Sequence, residues 1–407
     1  MRIQSVHLDH FRNYERLDLE VKPFINVFYG ANAQGKTNII EAIYLCACAR
    51  SHRTSKDREL IAHGADHYGV KIVLCSPDNQ AFNESVSLSF YDEAIDTDSP
   101  RKTRRIAAYN DVTLDKMSQF FGLFNAVIFA PEDLLLIKEG PSVRRRFLDL
   151  LISQVRPTYF HDLQIYSRLL LQRNRTLKIL RTSSGAHRLT AEEEAEIEVW
   201  DYSMAPVSAG IIRERIAFAQ RVSAIASEHH LLISSGKEKL FSKYKTVTGL
   251  LSELVTAEGD VIGTTIEKHL LSRWKATHQE DYDKGLTSIG PHRDDLELSL
   301  DGEGLRPFAS QGQQRSAALA LKLAELEILR EETSETPVLL LDDVFSELDA
   351  SRRAALLTNI GDAQVFITCT DRDFIDKELS PLRPDLFTGD ARISFFRIEE
   401  GKVFPEL

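Results

Sequence analysis

The sequence predicts an α/β fold whose parallel sheet is assembled from both ends of the chain, with an all-helical lobe inserted between them. Three observations predict it. A near-continuous apolar run, Phe24 to Tyr29, is broken by Gly30 and followed from Thr37 by apolar residues at helical spacing. From about Ser142 to Ile233, strand-like alternation gives way to long helical periods with few glycines. Strand signals return after about Gly285, with short apolar runs at Pro337 to Leu341 and Val365 to Thr368 of the kind buried in a parallel sheet.

Taken in order, Arg2 to Leu8 and Leu17 to Val21 alternate as half-buried strands do. The alternating runs Val70 to Leu74 and Ser85 to Phe90 predict a small antiparallel β subdomain over residues 67–110. The helical stretch has a polar break near Ser183-Ser184-Gly185 and no sustained heptad, which argues against a long coiled-coil arm. No internal repeat is evident. The expected organisation is residues 1–135 as the N-terminal part of the α/β domain, 136–284 as the helical lobe and 285–407 as the C-terminal part.

Composition excludes several classes. With 43% apolar and 27% charged residues in 407, the chain can bury cores and is not disordered by composition. No stretch approaches the roughly 20 apolar residues that span a bilayer, and Met1 to His10 lacks the apolar core of a secretory signal. A cytoplasmic protein with no membrane partner is expected. Cys46, Cys48, Cys75 and Cys369 lack zinc-site spacing and read as buried, reduced thiols. The net charge of −11 argues weakly against a passive nucleic-acid coat, yet leaves room for a local basic surface.

Chemistry concentrates at three places. Gly30-Ala31-Asn32-Ala33-Gln34-Gly35-Lys36-Thr37 fits G-x-x-x-x-G-K-[ST] between a predicted strand and a predicted helix. Glycines let the loop wrap backbone N–H groups around phosphates, Lys36 reaches the β and γ oxygens, and Thr37 offers a hydroxyl to Mg²⁺. Val338 to Leu341 followed by Asp342-Asp343 places carboxylates at the C-terminal edge of a buried strand, where ligands bind in open α/β sheets. Asp342 would hold Mg²⁺, and Asp343 would be the base or positioning group for an attacking water. Ser310-Gln311-Gly312-Gln313 opens a helical run and reads either as a second anion cradle or as a plain N-cap with a polar first turn.

Together these elements resemble the ATP-binding-cassette type of ATPase head, and within it the SMC and RecF branch. The resemblance to the RecF family spans most of the chain. It rests on Leu8 to Tyr14, the phosphate loop with Asn38 to Ile43, Arg50 to Thr54, Phe129 to Leu134, Arg144 to Asp149, Gly290 to Asp295, Ser310 to Ser316, and Leu340 to Asp349. It implies that two heads close face to face on ATP, with Ser310, Gly312 and Gln313 acting in trans as the signature and Ser346 and Asp349 belonging to the D-loop. It also implies that Arg12, Asn13 and Asn38 border the nucleotide; the other reading of Arg12 and Asn13 is a surface loop with Arg12 packed on Tyr14. The same resemblance implies an ATP-dependent homodimer that binds gapped or junction DNA on the nucleoid and works with the RecR and RecO mediators in loading recombinase. Two departures matter. Asp343 is one methylene shorter than the glutamate usual in cassette ATPases, which implies a weak, switch-like ATPase. The usual switch histidine is absent, and Thr370 stands nearby.

Between Leu163 and Leu189 the chain carries Arg168, Arg173, Arg175, Lys178, Arg181 and Arg188 with no acidic residue. Arg168, Arg175 and Lys178 share a helical face and are the candidate DNA contacts; a solvated helix paired with the acidic Glu192 to Glu198 segment is the other reading. Arg101, Lys102, Arg104 and Arg105 form a second basic cluster that reads as a solvated loop, and Arg144 to Arg146 a third. No base-reading motif is present, so binding should follow backbone and shape. Two competing readings are a transporter-type cassette subunit and an SMC-like structural DNA-bridging head. The roughly 300 residues between phosphate loop and Asp pair disfavour the first, and the missing heptads disfavour the second.

Overall fold

Alternation and apolar runs become strands where expected, and the two kinds of run build two different sheets. The computed structural model describes residues 1–76, 79–93, 102–184, 187–249, 259–382, 384 and 393–406. The first half of the chain gives β1 (Arg2–Phe11), β2 (Tyr14–Glu20), β3 (Ile25–Tyr29), α1 (Lys36–Cys48), β4 (His67–Ser76), β5 (Asn79–Glu93), β6 (Lys102–Tyr109), β7 (Val112–Thr113), β8 (Ala126–Phe129), α2 (Leu135–Lys138), α3 (Pro141–Val155) and α4 (Pro157–Ser184). Then follow α5 (Ala191–Ile233), β9 (Leu240–Lys245), α6 (Gly259–Lys284), β10 (Asp295–Leu300), β11 (Glu303–Gly304), α7 (Leu305–Phe308), α8 (Gln311–Thr333), β12 (Val338–Asp342), α9 (Val344–Glu347), α10 (Ala350–Asn359), β13 (Val365–Cys369), β14 (Ile393–Glu399) and β15 (Lys402–Glu406).

The chain divides into two compact units. The first comprises Met1–Ile137, Ile225–Lys239 and Ala309–Leu407. It holds an antiparallel sheet in the order β2-β1-β4-β5-β6-β7 and a mixed sheet in the order β15-β14-β3-β13-β12-β8. In the mixed sheet β3, β8, β12, β13 and β14 run parallel, so N-terminal β3 lies between two strands from the far end of the chain. β12 and β13 are buried at every position, which is why they read as unbroken apolar runs. Helix α1 packs on β1, β4 and β5 of one sheet and on β8, β12 and β13 of the other. A helix covered on both sides has no polar face, and Ile39 through Cys48 are all buried.

The second unit comprises Lys138–Ala224 and Leu240–Phe308. Its helices bury Leu177, Leu180, Leu189, Ile197 and Tyr282 in one cluster. The unit is not purely helical: β9 pairs antiparallel with β10, and β10 with β11. Leu240 to Lys245 alternates, with Leu240, Ser242 and Tyr244 buried, but its small and charged residues hide the strand in the sequence. Two boundaries therefore differ from those expected. Residues 285–308 fall in the second unit because β10 pairs with β9. Ile225–Lys239 falls in the first, where His229 bonds Glu327 (2.9 Å) and Glu238 accepts from Gln313 (2.9 Å).

Candidate nucleotide-binding site

The loop between β3 and α1 has the conformation its glycines require. Gly30 has φ 141°, and a Cβ there would come within 2.4 Å of the Ile398 carbonyl oxygen on β14. Gly35 has φ 114°, and its Cβ would meet Asn13 and the Tyr14 hydroxyl at 2.6–2.9 Å. Both positions admit only glycine. Gln34 anchors the loop to the hairpin of β14 and β15: its Oε1 accepts from Glu400 N (2.6 Å) and its carbonyl from Gly401 N (3.3 Å). Lys36 Nζ donates to the carbonyls of Gly30 (2.5 Å) and Ala31 (2.8 Å), which holds the ammonium over the loop. Burial pulls Lys36 below its ordinary pKa, against the opposing fields of Cys369, Asp343 and Asp342.

Behind the loop, three adjacent elements converge on one carboxylate. Asp342 Oδ1, at the end of β12, accepts from Thr37 Oγ1 of α1 (2.8 Å) and from Thr368 Oγ1 of β13 (2.7 Å). Burial raises the Asp342 pKa, while those two hydroxyls oppose the shift. Thr368 Oγ1 also accepts from Asp343 N (2.9 Å), fixing the turn after β12. Asp343 sits in the left-handed region at φ 49° and makes no cap hydrogen bond, so its exposed carboxylate stays available. Asp343, Thr368 and Thr370 line a cleft of about 760 Å³ with Arg12, Asn13, Asn32 to Asn38 and Arg53.

Arg12 and Asn13 thus border the cleft. Asn13 Nδ2 donates to Gln34 O (3.0 Å), and its Oδ1 accepts from Asn38 Nδ2 (2.7 Å). Arg12 Nε and Nη2 form a bidentate pair with Glu41 (2.8 and 2.7 Å), which also accepts from Ser51 (2.5 Å). Burial would raise the pKa of Glu41, whose side chain is 0% exposed, but Arg12, Ser51 and the His52 field outweigh it and hold the carboxylate below its ordinary range.

Ser310, Gly312 and Gln313 lie at the start of α8 and outside the residues lining that cleft. Ser310 is an N-cap with a reciprocal capping box: its Oγ accepts from Gln313 N (3.3 Å), and its own N donates to Gln313 Oε1 (2.7 Å). These bonds are those of the N-cap reading. Arg352 joins this turn to the segment after β12, donating to Gly312 O (2.8 Å) and Ser316 Oγ (2.9 Å) while bonding Asp349. Asp349 caps α10 through Arg352 N (3.0 Å), and Ser346 Oγ donates to Asp343 O (2.7 Å).

Comparison with known proteins places the chain in a family. The profile of the RecF/RecN/SMC N terminal domain family matches residues 2–383. A DNA replication and repair protein RecF from Acetivibrio thermocellus is 41% identical over 404 residues, covering 99% of this chain and 100% of that protein. The chain belongs to the RecF family. Another RecF, from Lysinibacillus sphaericus, is 38% identical over 93% of this chain and 95% of its own. A solved RecF-ATP structure, described as the recombination mediator protein in the RecFOR pathway, superposes with a TM-score of 0.84 at 33% identity, covering 100% of this chain and 98% of that one.

Set beside this RecF-family head, the basic residues sort into two kinds. Arg168, Arg175 and Lys178 are exposed on α4, and among the described residues no ion pair engages them. The acidic start of α5 pairs elsewhere, Glu198 with Lys275 (3.0 Å) and Glu193 with His187 (2.8 Å). Arg173 is different. It is 0% exposed and bonds Asp201 and Asp281 (both 2.7 Å), so it belongs to the interior and leaves the basic face. Arg144 is bidentate to Asp295 (2.9 and 2.8 Å), and Arg145 donates to Asp294 O (2.6 Å), tying α3 to β10. Arg101 lies outside the described residues, while Arg105 pairs with Asp57 (2.6 Å).

Sequence reasoning assigned no role to Thr368, Glu41 or His52. Thr368 is a hydroxyl next to the end of an otherwise apolar buried strand, and that mismatch was its signal. Glu41 is a lone acid in a helix otherwise apolar from Ile39 to Cys48. His52 Nε2 lies 4.0 Å from Asp342 Oδ2 with its side chain 7% exposed, a proximity no local pattern encodes.

Proposed function

We propose that the chain binds ATP in this cleft, hydrolyses it slowly, and uses the bound state to close a homodimer that clamps gapped or junction DNA in recombinational repair. The observation that carries the proposal is the convergence of Thr37, Asp342 and Thr368 behind a glycine loop that presents Lys36, with the uncommitted Asp343 facing the same cleft. Backbone N–H groups of residues 31–37 and the N-terminus of α1 suit a polyphosphate. Lys36 would exchange its loop carbonyls for β and γ oxygens. The donor set of Thr37 hydroxyl and Asp342 carboxylate, 2.8 Å apart, is hard and oxygen-only, as Mg²⁺ prefers. When bound, Mg²⁺ supplies neutralisation of phosphate charge.

Asp343 would then orient a water and accept its proton as the water oxygen bonds to the γ-phosphorus. The bond from that phosphorus to the bridging oxygen breaks, and ADP leaves with the electron pair. A short aspartate positions water less firmly than a glutamate would, which supports slow turnover; single-turnover hydrolysis on the order of tens per second would contradict this.

Because Ser310, Gly312 and Gln313 lie outside the lining of the cleft, one chain offers two half-sites, and a second copy supplies the signature to the γ-phosphate. Family membership supports RecR and RecO as partners, with recombinase loading on single strands as the outcome. The exposed Arg168, Arg175 and Lys178 supply a backbone-contacting face. The test is fluorescence anisotropy of labelled gapped DNA, with and without Mg-ATP, at two salt concentrations. Binding that tightens with ATP, and loses that gain in Lys36→Ala and Ser310→Arg, is expected. Equal binding in every nucleotide state would refute the ATP-closed clamp.

A further inference from the structure

We propose that Asp9, His10 and His67 form a binding site for one zinc-class divalent cation on the antiparallel sheet of the first unit, separate from the nucleotide cleft. One ligand atom from each of the three side chains lies within 4.8 Å of the other two. His67 Nε2 is 3.1 Å from Asp9 Oδ2, and His10 Nε2 is 4.0 Å from Asp9 Oδ1, so two imidazole nitrogens flank one carboxylate. Neighbouring ligands of a tetrahedral zinc with bonds of about 2.0–2.1 Å stand about 3.3 Å apart. The cluster therefore closes on a metal with small rotations of His10 and Asp9.

The backbone shows that this meeting is not what a regular strand gives. Successive side chains of a strand point to opposite faces, so Asp9 and His10 should diverge. Instead the alternation of β1 slips at this point: Val6 and Leu8 are buried, but the next buried residue is Phe11. The slip is made by His10, which takes a left-handed φ of 47°. That conformation is uncommon outside glycine and is enriched for asparagine, aspartate and histidine. It brings the His10 ring edge-on to His67, with centroids 5.0 Å apart and planes at 77°.

His67 is held from two further sides. Its Nδ1 bonds Asp66 Oδ1 at 2.8 Å, and its ring stacks on Tyr91 at 5.5 Å and 11°. A carboxylate on one imidazole nitrogen fixes the tautomer and aims the other nitrogen at a metal, the usual outer partner of a ligating histidine. Two imidazoles and one carboxylate suit zinc and its neighbours rather than Mg²⁺ or Ca²⁺. Three protein ligands leave a fourth position for water. A bound ion would also pin the turn that carries Arg12 and Asn13 into the nucleotide cleft.

The test uses the full chain stripped of metal, titrated with Zn²⁺ against a chromophoric chelator and with Co²⁺ by visible absorption. The expected result is one tight equivalent, with a Co²⁺ spectrum of nitrogen and oxygen ligation and no thiolate charge-transfer band. His67→Ala and His10→Asn should each lose that equivalent; asparagine keeps the left-handed backbone at position 10. Asp66→Asn touches no metal and should still weaken binding about 10–100-fold. Metal-free variants should unfold at the metal-free wild-type temperature, which separates ligand loss from misfolding. If the spectrum stays that of the hexa-aquo ion, or if His10→Asn and His67→Ala bind as wild type does, the three residues are only an ion-paired histidine cluster and the proposal fails.

Discussion

In the proposed function Asp343 and Lys36 serve one site in separable ways, and their variants should separate binding from hydrolysis. Asparagine tolerates the left-handed conformation at position 343, so Asp343→Asn should keep the turn and bind ATP within a few-fold of wild type. Single-turnover hydrolysis should fall about 10²-fold or more, the scale of a lost general base. Lys36→Ala should lose nucleotide affinity itself, read by equilibrium binding of a fluorescent ATP analogue. Glu41 carries a prediction on stability. Its folded pKa lies below the ordinary 4.5, so near pH 4.5 the unfolded chain binds more protons than the folded one. Its contribution is present in full above that pH and is lost as pH falls through the folded value. Urea midpoints measured from pH 6 down to pH 3 should show an acid limb that is shallower in Glu41→Gln. The glycine loop and the Asp pair were legible as sequence motifs because local spacing alone defines them. Thr368 and Glu41 were not, because their partners Asp342 and Arg12 lie 26 and 29 residues away.

At the start of α8, Ser310 has a structural role as N-cap and a second, proposed one in the partner's site. Ser310 caps the helix, and a lost cap costs about 1 kcal/mol. Aspartate caps as well as serine does, yet it would set a negative charge where the proposed partner's γ-phosphate arrives. Ser310→Asp should therefore keep wild-type thermal stability and lose the ATP-dependent dimer, whereas Ser310→Ala should lower stability slightly. Sedimentation with Mg-ATP beside a thermal melt distinguishes the two. In α4 the helical period correctly grouped Arg168, Arg175 and Lys178 on one exposed face. It could not exclude Arg173 from the basic count, since burial of an arginine is set by Asp201 and Asp281 on other helices. Strand β9 was missed for a related reason: its pairing partner β10 begins 50 residues later, and Ser242 with two lysines interrupts its apolar pattern.

At the scale of the whole molecule, the reading of one α/β unit built from both chain ends follows from where the apolar runs fall, and the mixed sheet has that form. Boundaries were less legible than elements, because they depend on which strand finds which partner. The proposed DNA affinity belongs to this scale, since it would sum the effect of many residues. If Arg168, Arg175 and Lys178 each neutralise a phosphate, the triple alanine variant should flatten the plot of log affinity against log salt by about 0.9 for each of those phosphates on duplex DNA. ATPase activity without DNA should stay at its wild-type value. Arg173→Ala should behave otherwise: leaving two buried carboxylates without their cation should cost about 3–5 kcal/mol and lower the unfolding midpoint, with the salt slope unchanged.

The seat of β3 has a consequence for synthesis. The strand that leads into the phosphate loop leaves the ribosome early, but both of its neighbours, β13 and β14, follow more than 300 residues later. At about 5–20 residues per second, that is a wait of roughly 20–70 s. During it the loop lacks the Ile398 carbonyl against which Gly30 is moulded and the backbone amides that hold Gln34. The loop therefore cannot take its final shape until β13 and the β14–β15 hairpin emerge, and on the proposed function nucleotide binding must wait for them.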